Sequence, residues 1–373
     1  MENVKRTAPA TTADIDGVEF KCRSCGGFLE YAPAKRKLVC AHCGAEAPVP
    51  EKHGAIDEID FERFIAGQYA NEKTMDVVTV KCGFCGAEVT LRPHMTADRC
   101  PYCGSDLVLK DGSRSLVLKP CGLVPFCVDL ERASRLFREW MSGRWFAPSD
   151  LRNRAAAGAL DGVYIPYWTY DAETLTEYTG NRGTYYYVSE TYTAFENGRP
   201  VTRTRQIRQT RWTPVSGAVA NVFDDILVPA SESLPDRYLY QMDSWDPKAV
   251  VPFSEGYLCG FRARAYEVDL KDGLAIAKKL MDPKIISSID TDIGGDEQQV
   301  LTMRSSYSHV TFKHILLPLW ISSYRYGGKV FHFLVNGQTG EVRGERPYSA
   351  VKIAFAVIAA LIAVIIFLML LQK

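Results

Sequence analysis

Cys22-Arg23-Ser24-Cys25-Gly26 and Cys40-Ala41-His42-Cys43-Gly44 frame the first part of the chain, and Cys82-Gly83-Phe84-Cys85-Gly86 and Cys100-Pro101-Tyr102-Cys103-Gly104 repeat them. Both halves read C-x2-C-x14-C-x2-C, with a glycine after the second cysteine of every pair. Two residues between cysteines let both thiolates reach one ion from a tight turn, and the glycine supplies the open backbone that turn needs. Two such turns joined by a hairpin complete a tetrahedral four-cysteine site. The pattern predicts zinc ribbons over residues 18–50 and 77–110. Cys22, Cys25, Cys40 and Cys43 hold one structural Zn2+ in this reading, and Cys82, Cys85, Cys100 and Cys103 hold a second. Two disulfides per repeat are the competing reading. Nothing upstream resembles a secretory signal, and reduced, metal-bearing cysteines point to a cytosolic compartment.

The chain has 373 residues, enough for two or three domains, and its formal net charge is zero. The molecule as a whole therefore has no electrostatic bias toward nucleic acid or an acidic membrane. Of the 11 cysteines, Cys121, Cys127 and Cys259 fall outside the pattern and read as buried small apolar side chains.

The far end adds a membrane. Ile353 to Leu371 is free of charged and polar side chains. As a helix it would span ~28 Å, close to a bilayer core. Residues 351–371 are thus expected to form a single transmembrane helix, with the lipid bilayer as a partner. Arg343, Arg346 and Lys352 precede it, which favours an N-terminal bulk in the cytoplasm and a single-pass protein of the cytoplasmic (inner) membrane.

Between these ends, residues 1–17 read as a polar, disordered tail, and residues 51–76 as a linker carrying a helix over about Asp57 to Tyr69. Residues 115–345 show a fainter repeat. Val124-Pro125-Phe126, a helix near Asp129 to Ser142, and Pro166-Tyr167-Trp168 recur as Val251-Pro252-Phe253, a helix near Leu270 to Met281, and Pro318-Leu319-Trp320. Tyr-, Thr- and Val-rich strands follow each copy: Gly183 to Ala194, Val201 to Trp212, Gly260 to Val268, Trp320 to Tyr326 and Val330 to Val335. Gly327-Gly328 is the expected two-residue turn between the last pair, with another turn at Asn336-Gly337 and Thr339-Gly340. The fold class is α+β: two four-cysteine ribbons, a mostly antiparallel, duplicated α+β sheet domain, and one C-terminal transmembrane helix.

Two basic stretches are candidate binding residues. Lys35, Arg36 and Lys37 sit in the hairpin of the first ribbon, and Arg199, Arg203, Arg205, Arg208 and Arg211 follow one another with no acidic residue between them. Arg203 and Arg205 share a face if this is a strand. For the first stretch a contact to an acidic partner competes with a solvated turn; for the second a contact to lipid headgroups or an acidic partner competes with a solvated hairpin face protected from edge pairing by charge. From Met1 to Pro120 there are 16 basic and 17 acidic residues. A module used mainly for DNA needs a basic excess, so nucleic acid is the disfavoured partner.

Chemistry-bearing motifs are missing. There is no G-x-x-x-x-G-K-[ST], no G-x-S-x-G and no H-E-x-x-H. His309, His314 and His332 could form a site only if the fold gathered them. Four thiolates close each zinc to water and substrate. No catalytic residue and no small-molecule substrate are identified.

The paired CxxCG ribbons, the two P-x-W motifs and the C-terminal span together resemble the bacterial membrane-anchored TFIIB-type zinc-ribbon family, over nearly the whole chain. Its members often carry the name primosomal protein N′ (replication factor Y), superfamily II helicase. The helicase part of that name conflicts with this chain, which lacks the nucleotide-binding loop such an enzyme needs. The resemblance implies a membrane adaptor associated with flotillin-like SPFH proteins or phage-shock-type envelope-stress proteins. The expectation is therefore a non-enzymatic, tail-anchored adaptor that uses its ribbons for protein recognition. The alternative is a membrane-tethered nucleic-acid-binding zinc-ribbon protein.

Overall fold

The computed structural model describes residues 20–50, 54, 56–68, 74–84, 87–90, 97–100, 102, 105–108, 113–144, 146, 148, 160–196, 199–232, 236–242, 244–326, 329–345 and 347–371. The expected tail at 1–17 lies outside them, as do Cys85, Cys103 and the Gly327-Gly328 turn.

The first cysteine segment forms β1 (Leu29–Ala32), β2 (Lys37–Cys40) and β3 (Glu46–Ala47), an antiparallel sheet in that order. Next come β4 (Ile59–Asp60) and α1 (Phe61–Ile65). The second cysteine segment carries β5 (Thr74–Lys81), β6 (Glu88–Thr90), β7 (Ala97–Arg99), β8 (Asp106–Val108) and β9 (Ser113–Leu118). The body contains β10 (Gly122–Leu123), α2 (Leu130–Ser142), β11 (Asp161–Glu196), β12 (Arg199–Pro229), α3 (Asp236–Gln241), β13 (Val251–Pro252), β14 (Arg262–Ala263) and α4 (Leu270–Ile293). It closes with β15 (Glu297–Tyr326), β16 (Lys329–Asn336) and β17 (Val342–Gly344), and α5 (Ala350–Leu371) follows.

Three of these strands dominate. β11 is 36 residues long, β12 is 31 and β15 is 30. At ~3.3 Å per residue β11 extends about 120 Å. β15 pairs with it from Asp161↔Ile321 to Gly183↔Glu297, and β12 pairs with it to the far end, Glu196↔Arg199. The ladder is interrupted on both sides of Ala172. There Asp225 and His309, one on each flanking strand, take φ values of 53° and 50°. These bulges absorb an extra residue without turning β11 over, so its even-numbered side chains keep facing one side.

The expected strands Gly183–Ala194 and Val201–Trp212 are therefore fragments of much longer ones. Gly180 and Gly183 look like punctuation in the sequence. In the structure a Cβ at Gly180 would lie 2.5 Å from the Gln299 carbonyl oxygen and 2.8 Å from Ile293 Cδ1. That glycine admits a neighbouring strand and helix instead of ending a strand. Gly260 to Val268, expected as a strand, contributes only the two-residue β14.

α4 lies along the inner face of the ribbon. Leu274, Ala277, Met281, Ile285, Ile289 and Ile293 are buried at helical spacing against Trp168, Tyr170, Tyr178 and Phe223. The helix runs twelve residues past its expected end at Met281, through Pro283. An interior proline costs ~3 kcal/mol. Each buried Ile or Met returns ~1.5–3 kcal/mol, and Ile285, Ile289 and Ile293 all lie beyond the proline, so burial wins.

The two expected repeats meet around a local two-fold axis. Ile165 pairs with Leu317, Pro166 with Leu316 and Pro318 with Tyr164, so the two P-x-W motifs cross at one point. β10, which leads into the first V-P-F motif, and β13, which begins the second, also pair antiparallel. Asp129 and Asp269 cap α2 and α4 by accepting from the backbone N–H groups of Arg132 and Asp272. The tryptophans then cross over. Trp168 Nε1 donates to Val268 O at 2.9 Å, and Trp320 Nε1 donates to Val128 O at 2.8 Å. Each copy's tryptophan thus fastens the start of the other copy's helix.

The linker helix is shorter than expected, only Phe61–Ile65, capped by Asp60. It packs on the body: β4 pairs with Thr311 and Phe312, and Phe61 and Phe64 meet the Phe312 ring edge-on. At α5, Ser349 N donates to Phe146 O and Ser349 Oγ accepts from Lys352 N. No residue of this 22-residue helix is buried, and its mean hydropathy reaches 3.3, so it is long and apolar enough to cross a membrane.

His314 gives the body an acid-sensitive point. Its Nδ1 lies 2.9 Å from Leu118 O, so Nδ1 carries the proton, and Nε2 has no partner among the described residues. Burial pushes its pKa down to about 4. The unfolded chain binds this proton near the ordinary 6.5 and the native state does not. Stability is therefore complete above pH 6.5 and falls as the pH drops toward 4, by up to roughly 3 kcal/mol. His314→Gln is expected to flatten that part of the pH profile in urea titrations between pH 4 and 7. An unchanged slope would contradict the assignment.

Candidate metal centre and cationic arm

The four sulfurs of Cys22, Cys25, Cys40 and Cys43 lie within 4.8 Å of one another. Cys22 Sγ is 3.5 Å from Cys43 Sγ, and Cys25 Sγ is 3.5 Å from Cys40 Sγ. A zinc tetrahedron with ~2.3 Å bonds has edges of about 3.8 Å, so the donor set fits Zn2+. Each turn is built the same way. Cys22 N donates to Gly27 O and Cys40 N to Ala45 O, while Gly26 and Gly44 take φ values of 72° and 71°. Backbone N–H groups, that of Ser24 foremost, hold the Cys22 thiol down at about 6, and the N–H of Cys43 lowers Cys40. Both are thereby favoured as thiolates. His42 is exposed and outside the four-sulfur group.

In the second segment Cys82 and Cys100 are buried, and Cys85 and Cys103 lie outside the described residues. Its two turns repeat the backbone bond of the first: Cys82 N donates to Ala87 O and Cys100 N to Ser105 O, both at 2.8 Å.

Neither cysteine segment stands alone. Tyr31, Leu38 and Val49 belong to the core that also holds Phe126, Phe253 and Trp320. Tyr31 N donates to Cys259 O at 2.9 Å and Tyr31 Oη to Phe126 O at 3.3 Å. Cys82, Ala87, Cys100 and Tyr102 join the core around Val124, Tyr167 and Leu239, with the Arg264 guanidinium 4.7 Å above the Tyr102 ring. The outward side of the first segment carries its turns and Phe28, which is 61% exposed.

The first basic stretch is partly neutralised. Lys35 and Lys37 both reach Glu46, at 2.7 and 3.1 Å, and hold its carboxyl below the usual range. Arg36 occupies the left-handed turn position at φ 52°. The second stretch lies on the distal ribbon, beyond the end of β15. The register places Arg199, Arg203, Arg205 and Arg211 on one face and Arg208 on the other. Arg205 bonds Glu190 at 2.6 Å and covers the Tyr192 ring, Arg208 covers Tyr185, and Arg211 covers Tyr186.

The three histidines do not converge. His314 is buried, His309 is exposed at its bulge, and His332 lies opposite Ser323, nine residues along β15 from His314, or about 30 Å. One polar cluster gave no signal in the sequence because its members are far apart in the chain. Lys313 Nζ sits 2.8 Å from Asp225, 3.1 Å from Glu58 and 3.8 Å from Asp171. Asp224 adjoins the same carboxylates, but the ammonium occupies the place a cation would take. Burial raises Asp171 to about 6.

No protein-family model and no solved structure matches the chain. It is similar to the uncharacterized protein YdjG of Bacillus subtilis (strain 168), 25% identical over 347 residues that cover 90% of this chain and 92% of that one. The likeness thus covers most of the length of both chains.

Proposed function

We propose that this chain is a non-enzymatic, tail-anchored membrane adaptor whose zinc ribbons serve protein recognition. The observation that carries the reading is a four-thiolate site, closed to further ligands, on a body joined to an apolar helix with no buried residue that starts six residues after its last strand. Such a zinc folds the ribbon and leaves no position for water or substrate. A second structural zinc on Cys82, Cys85, Cys100 and Cys103 is supported by the identical spacing and the repeated turn bonds. With the inner faces docked, Phe28 and the outward turns are left for a partner. Basic residues before α5 favour a body on the cytoplasmic side of the inner membrane. SPFH or envelope-stress proteins are the partners that the resemblance implies.

The test is crosslinking and affinity purification from membranes in mild detergent, comparing wild type with Cys100→Ser. A membrane scaffold or stress protein recovered only with the intact second ribbon supports the adaptor. Normal recovery with that ribbon demonstrably unfolded would sink it. Nuclease-sensitive nucleic acid as the dominant co-purifying species would replace it with the tethered nucleic-acid binder.

A further inference from the structure

Beyond Gly183 the three-stranded ribbon becomes a two-stranded arm, because β15 begins at Glu297 opposite that residue. Thirteen residues of β11, Thr184 to Glu196, continue with β12 alone, over about 40 Å. Between Thr184 and Arg211 the arm holds five arginines and two glutamates, a net charge of +3. The rest of this neutral chain therefore carries −3.

The register sorts the arm's side chains into two unlike faces. One pairs Val188 with Ile207, Tyr192 with Arg203 and Ala194 with Val201, and adds Arg199, Arg205 and Arg211. On the other, Ser189 faces Gln206, Thr191 faces Thr204 and Thr193 faces Thr202. The first face carries four arginines against Glu190 and Glu196, a net charge of +2, beside its apolar groups, while this stretch of the second is neutral and polar. It continues the side that α4 covers further in, and α4 stops at Ile293, beside Gly180. The second face also carries Tyr187, Arg208 and, at the tip, Phe195, which is 75% exposed with Pro200 opposite it.

We propose that the cationic face of the arm lies on anionic lipid headgroups, an inference that rests on α5 being a membrane anchor. Arginine beside aromatic and branched side chains suits the interface, where guanidinium groups meet phosphate and apolar groups enter the acyl boundary. Each basic residue near an anionic surface contributes ~1 kcal/mol. The opposite face is polar and uncharged from Ser189 to Thr193, a stretch that suits water. Single-stranded nucleic acid fits less well, because Arg205 and Arg211 already cover the Tyr192 and Tyr186 rings on which bases would stack. A bilayer is also tethered to the molecule. The ribbon starts beside the strands that lead into α5, since Trp320 pairs with both Gly162 and Val335. The ribbon then runs along the surface and the arm touches down about 80–120 Å from the anchor.

Hydrogen–deuterium exchange on the full chain in vesicles tests this. Peptides over 184–211 are expected to exchange at least tenfold more slowly in phosphatidylcholine vesicles containing phosphatidylglycerol than in phosphatidylcholine alone. Molar salt, and the triple variant Arg203→Gln/Arg205→Gln/Arg211→Gln, are expected to remove the difference. Unchanged zinc content and unchanged exchange over 161–172 establish that the variant is folded. Equal arm exchange in both vesicles overturns the proposal. So does protection by an added oligonucleotide with no effect of phosphatidylglycerol. Peptides over 350–371 report the anchor separately: protection there in both vesicles, with an indifferent arm, removes the arm's role and leaves the anchor standing.

Discussion

Cys40→Ser is expected to remove one zinc equivalent per molecule and to unfold residues 20–50, and the damage should reach the sheet domain. Structural zinc sites of this type contribute ~10–16 kcal/mol of apparent binding free energy, which is folding free energy for a module too small to bury a core of its own. Cys40 is buried, and its loss leaves three thiolates that cannot close the site. Tyr31, Leu38 and Val49 would then leave a core they share with Phe126 and Trp320. At ~1.5–3 kcal/mol per large apolar side chain, the body should lose roughly 5 kcal/mol. Metal analysis together with urea unfolding checks both effects, and Cys121→Ser is the control, since Cys121 lies outside both patterns. Wild-type zinc content and midpoint in Cys40→Ser would dispose of the metal centre. Cys100→Ser separately counts the second site: a chain with two zincs should retain one.

The crossed tryptophans should produce the second large effect. Trp320→Ala is expected to cost ~3–5 kcal/mol, the range for truncating a large core side chain. Trp320→Phe keeps most of the volume but leaves the Val128 carbonyl without its donor, at ~1–3 kcal/mol. The location of the damage is the sharper test. Trp320→Phe should loosen amides at the start of α2 and Trp168→Phe those at the start of α4, each in the half that does not contain the mutation. Loosening confined to the mutated half would show that the crossed bonds hold nothing.

Particular residues explain what was legible in the sequence. The cysteine spacing and the apolar run after Lys352 state local chemistry: the first gathers four sulfurs at Cys22, Cys25, Cys40 and Cys43, and the second forms one long apolar helix. The paired V-P-F and P-x-W motifs were also readable, because each copy repeats its own short-range pattern. The 36-residue strand was not. Gly180 and Gly183 carry the same letter whether they end a strand or admit a neighbour, and only the position of α4 and Gln299 distinguishes the two. Ribbon docking was hidden likewise. Tyr31 reads as an ordinary hairpin residue until Tyr257, Phe261 and Phe126 gather around it from more than ninety residues away. The arginines were visible as a run. Their division between two faces needed the register, and the sharing of Glu46 by Lys35 and Lys37 needed the fold.

The crossing has a consequence for the nascent chain. Val128 waits for a tryptophan 192 residues downstream. At ~5–20 residues per second, a ribosome leaves that half-core open for roughly 10–40 s. The first cysteine segment also docks on residues near 254–261, so it can bind metal early but has nowhere to settle until translation has passed them. Among the described residues, the helix that follows this body is the one apolar enough to cross a membrane. The body therefore completes its core only shortly before its least soluble segment emerges, and the interval between the two is when a chaperone has most to protect.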